Sequence, residues 1–353
     1  MTSYPKTMKA AILVEQKQPL IIDDVMLPEA LSYGQVLVKI AYSGICGSQL
    51  GEIDGVKGPD AYLPHLLGHE ASGQVLDVGA GVRKVKQGDH VILHWMIGSG
   101  IEADPPIYQW RGSRVNAGWI TTFNEYAIIS ENRLTPISHT LDGKIASLFG
   151  CAVTTGIGVV VNNANLKPGE AIIVLGAGGV GLNVIQGAAL ISAYPIIGVD
   201  LHDNRLALAK EMGATHVINA HSCDLREEIR RILRPGVADV IVDNTGIPAM
   251  IELAYELTTP KGRVVLVGVP RKGNNISIYS LPLHFGKRIS GSHGGETNPS
   301  EDIPRYIRML EAGKLTLIPL ITNEFPLEQI NEAIEMMRSG EMAGRCIIKM
   351  NDV

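Results

Sequence analysis

Cysteine is scarce in this chain. Only Cys46, Cys151, Cys223 and Cys346 occur in 353 residues, widely separated. That spread does not read as the disulfide framework of a small secreted domain. Aromatic residues make up 5%, and all three tryptophans fall within residues 94–125. No apolar run approaches the length of a membrane span, and "MTSYPKTMKAAILVEQ" lacks a stretch long enough for a signal peptide. A cytoplasmic, reducing location is therefore the expectation. A strong charge imbalance is also absent, with 31 Lys and Arg against 36 Asp and Glu and a net charge of −5. This balance argues against nucleic acid or an anionic membrane surface as the main partner. Glycine, in contrast, is plentiful at 39 residues, which points to tight turns and close backbone approaches. The length suits two domains.

The first third reads as β-rich. In "QVLVKIAY", Val36, Val38 and Ile40 alternate on one face, as in a half-buried strand. "SGQVLDVG" and "DHVILHW" repeat the pattern between glycines and charges, which suits a barrel-like unit. From Ala171 onward the rhythm changes. "AIIVL", "PIIGVD", "DVIVD" and "RVVLVG" are uninterrupted apolar runs, separated by helical patterns such as "VGLNVIQGAALIS" and "DNRLALAKEMG". Strands without polar alternation, interleaved with helices, predict a parallel sheet covered on both faces. The segment "PLEQINEAIEMMRSG" then places Leu327, Ile330, Ile334 and Met337 on one helical face, with Gly340 as its stop.

"VLGAGGVG" sets Gly176, Gly178 and Gly181 in a G-x-G-x-x-G pattern between a predicted strand and a predicted helix. Such glycines permit a tight turn, close approach to a pyrophosphate and close helix–strand packing. The helix N-terminus supplies amide donors for the phosphates. Asp200 ends the next strand, about 20 residues further on, where an acid meets the ribose 2′-hydroxyl. It repels a 2′-phosphate, and Leu201, His202 and Asp203 offer no neighbouring cation to reverse that. NAD is expected rather than NADP. The alternative role for Asp200 is capping the next helix.

Cys46 lies in "GICGSQLG", His69 in "LLGHEASGQV" and Cys151 in "FGCAVTTGIG". Two thiolates and an imidazole can hold a catalytic zinc with one position open. Alcohol dehydrogenase is itself the standard example of that ligand set. Spacing alone favours a plainer reading, in which these are buried thiols and an unrelated histidine.

The local sequences around them carry more. Those three stretches, with "VKQGDHVI", "VLGAGGVGLNVIQGA", "IIGVD", "AKEMGATHVIN", "VGVP" and "PLEQINEAIEMMRSGE", resemble the zinc-dependent medium-chain alcohol dehydrogenase family over nearly the whole chain. The resemblance implies a GroES-like β-rich catalytic domain, residues 1–153 and 293–353. A Rossmann-type NAD-binding domain, residues 154–292, is inserted in it. It further implies one zinc on Cys46, His69 and Cys151, with Glu70 beside the metal. Ser48 would relay the proton of the bound alcohol while hydride passes to the nicotinamide. Gly179, Val180, Arg205 and Val269 would join the glycines and Asp200 around the cofactor. Thr155 would pack near the nicotinamide, Arg345 would reach the pyrophosphate, and Trp95 would wall the substrate pocket. The implied partners are a small alcohol or carbonyl compound and further copies of the chain, in a homodimer or homotetramer.

The chain also departs from that family. Many members carry four close cysteines for a structural zinc after "GDHVI", and residues 94–125 contain none. Aromatic packing by Trp110 and Trp119 is the expected substitute, with Arg111 and Arg114 either solvated or facing an anionic substrate. Gln49 replaces an aspartate that orients the zinc-binding histidine. An amide can hold the ring without raising its basicity. Gly51 replaces a histidine that completes the proton path in some members, leaving water, or His65, for that step. Two other readings stand beside the dehydrogenase: a zinc-independent quinone or enone reductase, and a non-catalytic NAD(H)-binding protein.

Overall fold

The computed structural model describes residues 5–234 and 236–353. Three sheets organise them. Thr7–Leu13, Ile21–Met26, Ile107–Trp110, Ser113–Asn116 and His65–Leu66 close a small barrel. A second sheet runs Leu134–Ile137, His90–His94, Glu70–Val78, Gln35–Gly44, Arg345–Lys349 and Ile321–Pro326, with Tyr126–Ser130 also paired to Gln35–Gly44. The C-terminal strands thus return to the N-terminal half.

Gln35–Gly44 belongs to the second sheet and packs against the barrel, and here the half-buried reading needs correction. Val36, Val38 and Ile40 pack in one apolar cluster with Val75, Val91 and Leu93. Leu37, on the opposite face, is buried in another with Met8, Tyr108 and Val115. Both faces of the strand are covered, because the barrel lies against the sheet.

The third sheet is wholly parallel, in the order His216–Asn219, Ile196–Asp200, Ile172–Leu175, Ala238–Asp243, Thr258–Leu266, Arg288–Gly291. Numbered along the chain, that order is 3-2-1-4-5-6, the doubly wound Rossmann arrangement. Its strands Ile172–Leu175 and Ile196–Asp200 are buried along their whole length, with Ile172, Ile173 and Val174 fully enclosed, whereas the edge strand Arg288–Gly291 is largely exposed. The helix Gly179–Leu190 covers one face and contributes Leu182, Val184 and Ile185 to the main core. Each such side chain adds about 1.5–3 kcal/mol on burial. The expected helix stop is also present: Ile330–Ser339 ends at Gly340, whose φ is +78°. Among the described residues, no single helix is long and apolar enough to cross a membrane.

Within residues 94–125, Ile107–Trp110 and Ser113–Asn116 form a hairpin that completes the barrel. Trp110 donates its indole N–H to Asp23 at 2.9 Å, and Arg111 reaches the same carboxylate at 2.8 Å while its guanidinium lies 4.6 Å from the Trp110 ring. Packing and one shared carboxylate secure the lobe. Arg111 is thereby occupied on the barrel's outer edge.

Candidate active site

Strand pairing explains how distant residues meet. Gln35–Gly44 and Glu70–Val78 run antiparallel, with Ser43 opposite Ala71. Cys46 follows the end of the first strand and His69 precedes the start of the second, so both lie at one edge. Cys151 arrives on the turn after the short helix Gly143–Ser147. That turn can close because residue 150 is glycine: a Cβ there would stand 2.4 Å from the Leu93 carbonyl oxygen and 2.7 Å from Glu70 Cβ. The outcome is a cluster in which one ligand atom each from Cys46, His69 and Cys151 lies within 4.8 Å of the others.

The two thiols are chemically unequal. Cys151 donates a hydrogen bond that holds Cys46 well below the ordinary thiol range, with His69 and Arg345 adding to the effect. The same bond, with burial, pushes Cys151 well above it. Two sulfurs and an imidazole at this separation fit a tetrahedral zinc with its fourth position open. The other cysteines are occupied differently. Cys223 Sγ donates to the Asn219 carbonyl at 3.2 Å, and burial pushes Cys346 up to about 12.

Glu70 stands outside the cluster. Its side chain is fully buried and pairs with the guanidinium of Arg345, itself 3% exposed. Its other oxygen accepts the Ala152 N–H at 3.1 Å, fixing the residue next to Cys151. Trp95 does reach the site: its ring lies 6.5 Å from that of His69, edge to face. His293 packs on the far side of Trp95, 4.9 Å between centroids. Sequence reading treated residue 293 only as a domain boundary. Its usable signal was its place two residues past the last parallel strand, at the carboxyl edge where such sheets bind ligands.

A cleft of about 640 Å³ runs from Cys46 to the parallel sheet. Cys46, Ser48, the glycine turn, Asp200, Arg205, Val269 and Arg345 all line it. Ser48 Oγ is buried without a hydrogen-bond partner, as is Thr155 Oγ1. Thr155 lies beside Cys151 and, like Cys151 itself, does not line the cleft.

The turn is packed too closely to admit side chains at Gly179 and Gly181. A Cβ on Gly181 would lie 2.0 Å from the Gly176 carbonyl oxygen, and one on Gly179 would lie 2.3 Å from Arg345 Cδ. Arg345 therefore rests directly against the turn. Asp200 Oδ2 accepts the Ala177 N–H at 2.8 Å, and Oδ1 accepts from Leu201 and His202 at 2.8 and 3.1 Å. Arg205 Nη1 is 3.8 Å from Oδ1. Asp200 thus lines the cleft and braces the turn, but it does not cap the helix Asp203–Glu211, whose N-cap His202 carries no side-chain bond, and Arg205 supplies a nearby cation that the three residues after Asp200 do not.

His65 does not line the cleft. One ring nitrogen meets the Leu66 carbonyl and the other the Asp60 carboxylate, each at 2.8 Å.

Comparison with known proteins agrees with this geometry. Residues 32–139 match the alcohol dehydrogenase GroES-like domain, and residues 179–312 match the zinc-binding dehydrogenase family. The chain belongs to the zinc-dependent medium-chain alcohol dehydrogenase family. It is an NAD-dependent oxidoreductase, with zinc and NAD as its cofactors. An S-(hydroxymethyl)glutathione dehydrogenase of Paracoccus denitrificans is 31% identical, over 94% of this chain and 97% of its own. A class-3 alcohol dehydrogenase of Cereibacter sphaeroides matches with the same identity and coverage. Benzyl alcohol dehydrogenase from Acinetobacter calcoaceticus superposes with a TM-score of 0.88 at 27% identity, covering 98% of this chain and all of that one. Within the family fold, the described residues show one Cys/His ligand cluster.

Proposed function

We propose that this protein oxidises an alcohol to its aldehyde or ketone, or runs the reverse reaction, at the cluster of Cys46, His69 and Cys151. The carrying observation is that Cys46 of this cluster, Ser48 and the glycine turn line one cleft, and that the Ser48 hydroxyl is buried without a partner. Zinc supplies Lewis acidity to the substrate oxygen and NAD supplies the hydride acceptor. Cys46, His69 and Cys151 hold the metal, and Glu70 positions the Cys151 turn and Arg345. Ser48 Oγ takes the alcohol proton and passes it towards the cofactor ribose. Asp200 holds the ribose hydroxyls, and Arg345, pressed on Gly179, meets the pyrophosphate. Trp95 walls the apolar side of the substrate space, and Thr155 backs the nicotinamide end.

The same arrangement supports a domain division with residues 154–292 as the cofactor unit and residues 1–153 and 293–353 as the catalytic one. The last strand of its sheet, Arg288–Gly291, has an open edge, and Tyr279 and Phe285 nearby are 71% and 69% exposed. An unpaired strand edge with exposed aromatics supports a homodimer through this domain.

A panel of primary, secondary and aromatic alcohols, followed by NADH absorbance with zinc-replete protein, tests the reading. Turnover of at least one alcohol is expected. Zinc- and NAD-bound protein that oxidises no alcohol and reduces no aldehyde or ketone would overturn it.

A further inference from the structure

Gln49 is 2% exposed and lies between two parts of the metal cluster. Its Oε1 accepts the backbone N–H of Cys46 at 2.8 Å. Its Nε2 is directed at Nδ1 of His69. Nδ1 is thus taken by Gln49, and Nε2 is the ring nitrogen left to face the two sulfurs.

The hydrogen-bond inventory at this point does not balance once a metal is held. A neutral histidine ligating through Nε2 carries its N–H on Nδ1, and ligating histidines give that N–H to an acceptor. Cys46 N–H is also a donor, with no other acceptor among the described residues. Two donors therefore converge on one side chain. A carboxylate accepts from both, but an amide has one acceptor end and one donor end. Turning the amide over does not help. It only moves the mismatch from His69 to Cys46, whichever way the group is assigned. In the metal-free arrangement the amide is matched, because the ring can keep its N–H on Nε2.

We infer that Gln49 is a positioning residue that weakens the hold on zinc, by favouring the histidine tautomer of the empty site over that of the loaded one. The inference rests on the zinc reading above and concerns how firmly that ion is retained. It makes the metal more exchangeable than a carboxylate in the same place would.

Gln49→Glu keeps the shape and supplies a second acceptor. Zinc affinity is measured by competition with a chromophoric chelator on the full-length protein. Thermal unfolding is followed with and without zinc. Partners of metal-bound histidines change affinity by about 10–100-fold, so Gln49→Glu is expected to bind zinc about tenfold more tightly or better. Its thermal midpoint should rise more on adding zinc than that of the parent, and fall below the parent without it, because a buried carboxylate then lacks its charge partner. If the glutamate variant does not fold, Gln49→Asp makes the same comparison. Equal or weaker zinc binding by a folded carboxylate variant overturns the inference. A parent protein that binds no zinc at all overturns the metal reading instead, so the two failures are distinguishable.

Discussion

Replacing Asp200 with alanine separates its cofactor role from its structural one. The carboxylate holds three backbone N–H groups, but only Ala177 is fully buried. Leu201 is 58% exposed and regains water when its acceptor is removed. Stability should therefore fall by the cost of one orphaned buried donor, about 1–3 kcal/mol. Binding changes separately. The lost charged hydrogen bonds to the ribose are worth about 1.5–3 kcal/mol, which raises KM for NAD by about 10–100-fold. Removing the negative charge also removes its repulsion of a 2′-phosphate, so the preference for NAD over NADP should fall by about tenfold or more. Asp200→Asn is the companion variant. It keeps an acceptor for Ala177 N–H, turns a donor towards the Leu201 and His202 N–H groups and loses the charge, so it should lose less stability than alanine and still lose discrimination. The assay is kcat/KM with each cofactor at a saturating alcohol, alongside thermal unfolding. If stability falls in the alanine variant while cofactor preference stays fixed in both, Asp200 is only a loop brace and the reasoning fails.

Two further outcomes are specific to this structure. Ser48→Ala removes a buried, unpartnered hydroxyl, so it should lower kcat by about 10²-fold or more while NAD affinity is unchanged; an unaltered kcat removes Ser48 from the proton path. His94 is buried between the Met96 carbonyl and the Thr135 hydroxyl, and burial pushes it down from 6.5 to about 3. The unfolded chain takes up that proton first as pH falls, so stability is lost from about pH 6.5 towards 3, with a slope of up to about 1.4 kcal/mol per pH unit. Denaturant unfolding across that range should show a shallower acid loss in His94→Gln, and identical slopes in the two proteins would contradict the assignment.

What could be read from the sequence was what local chemistry dictates. The buried strand runs, the glycine turn and Gly340 each depend on a few neighbouring residues, and they stand where the pattern set them. Asp200 was legible because a strand end and a turn fix its distance from the glycines. The metal cluster was different. Cys46, His69 and Cys151 converge through antiparallel register and a turn closed at Gly150, neither of which leaves a spacing rule. They were found through resemblance, since their separation alone favoured the plainer reading. The double burial of Gln35–Gly44 was missed because alternation reports one covered face, and the second cover comes from a barrel completed by residues 107–116. His293 and the donor conflict at Gln49 depend on side-chain placement that no one-dimensional pattern encodes.

The most direct test of the central claim is the metal content of the purified, active protein beside that of Cys46→Ser. The account predicts one zinc per chain in the parent. In the variant, zinc and turnover should be lost together while the circular dichroism spectrum and NAD binding are retained. Full turnover by parent protein containing no metal, or undiminished zinc in the serine variant, would contradict it.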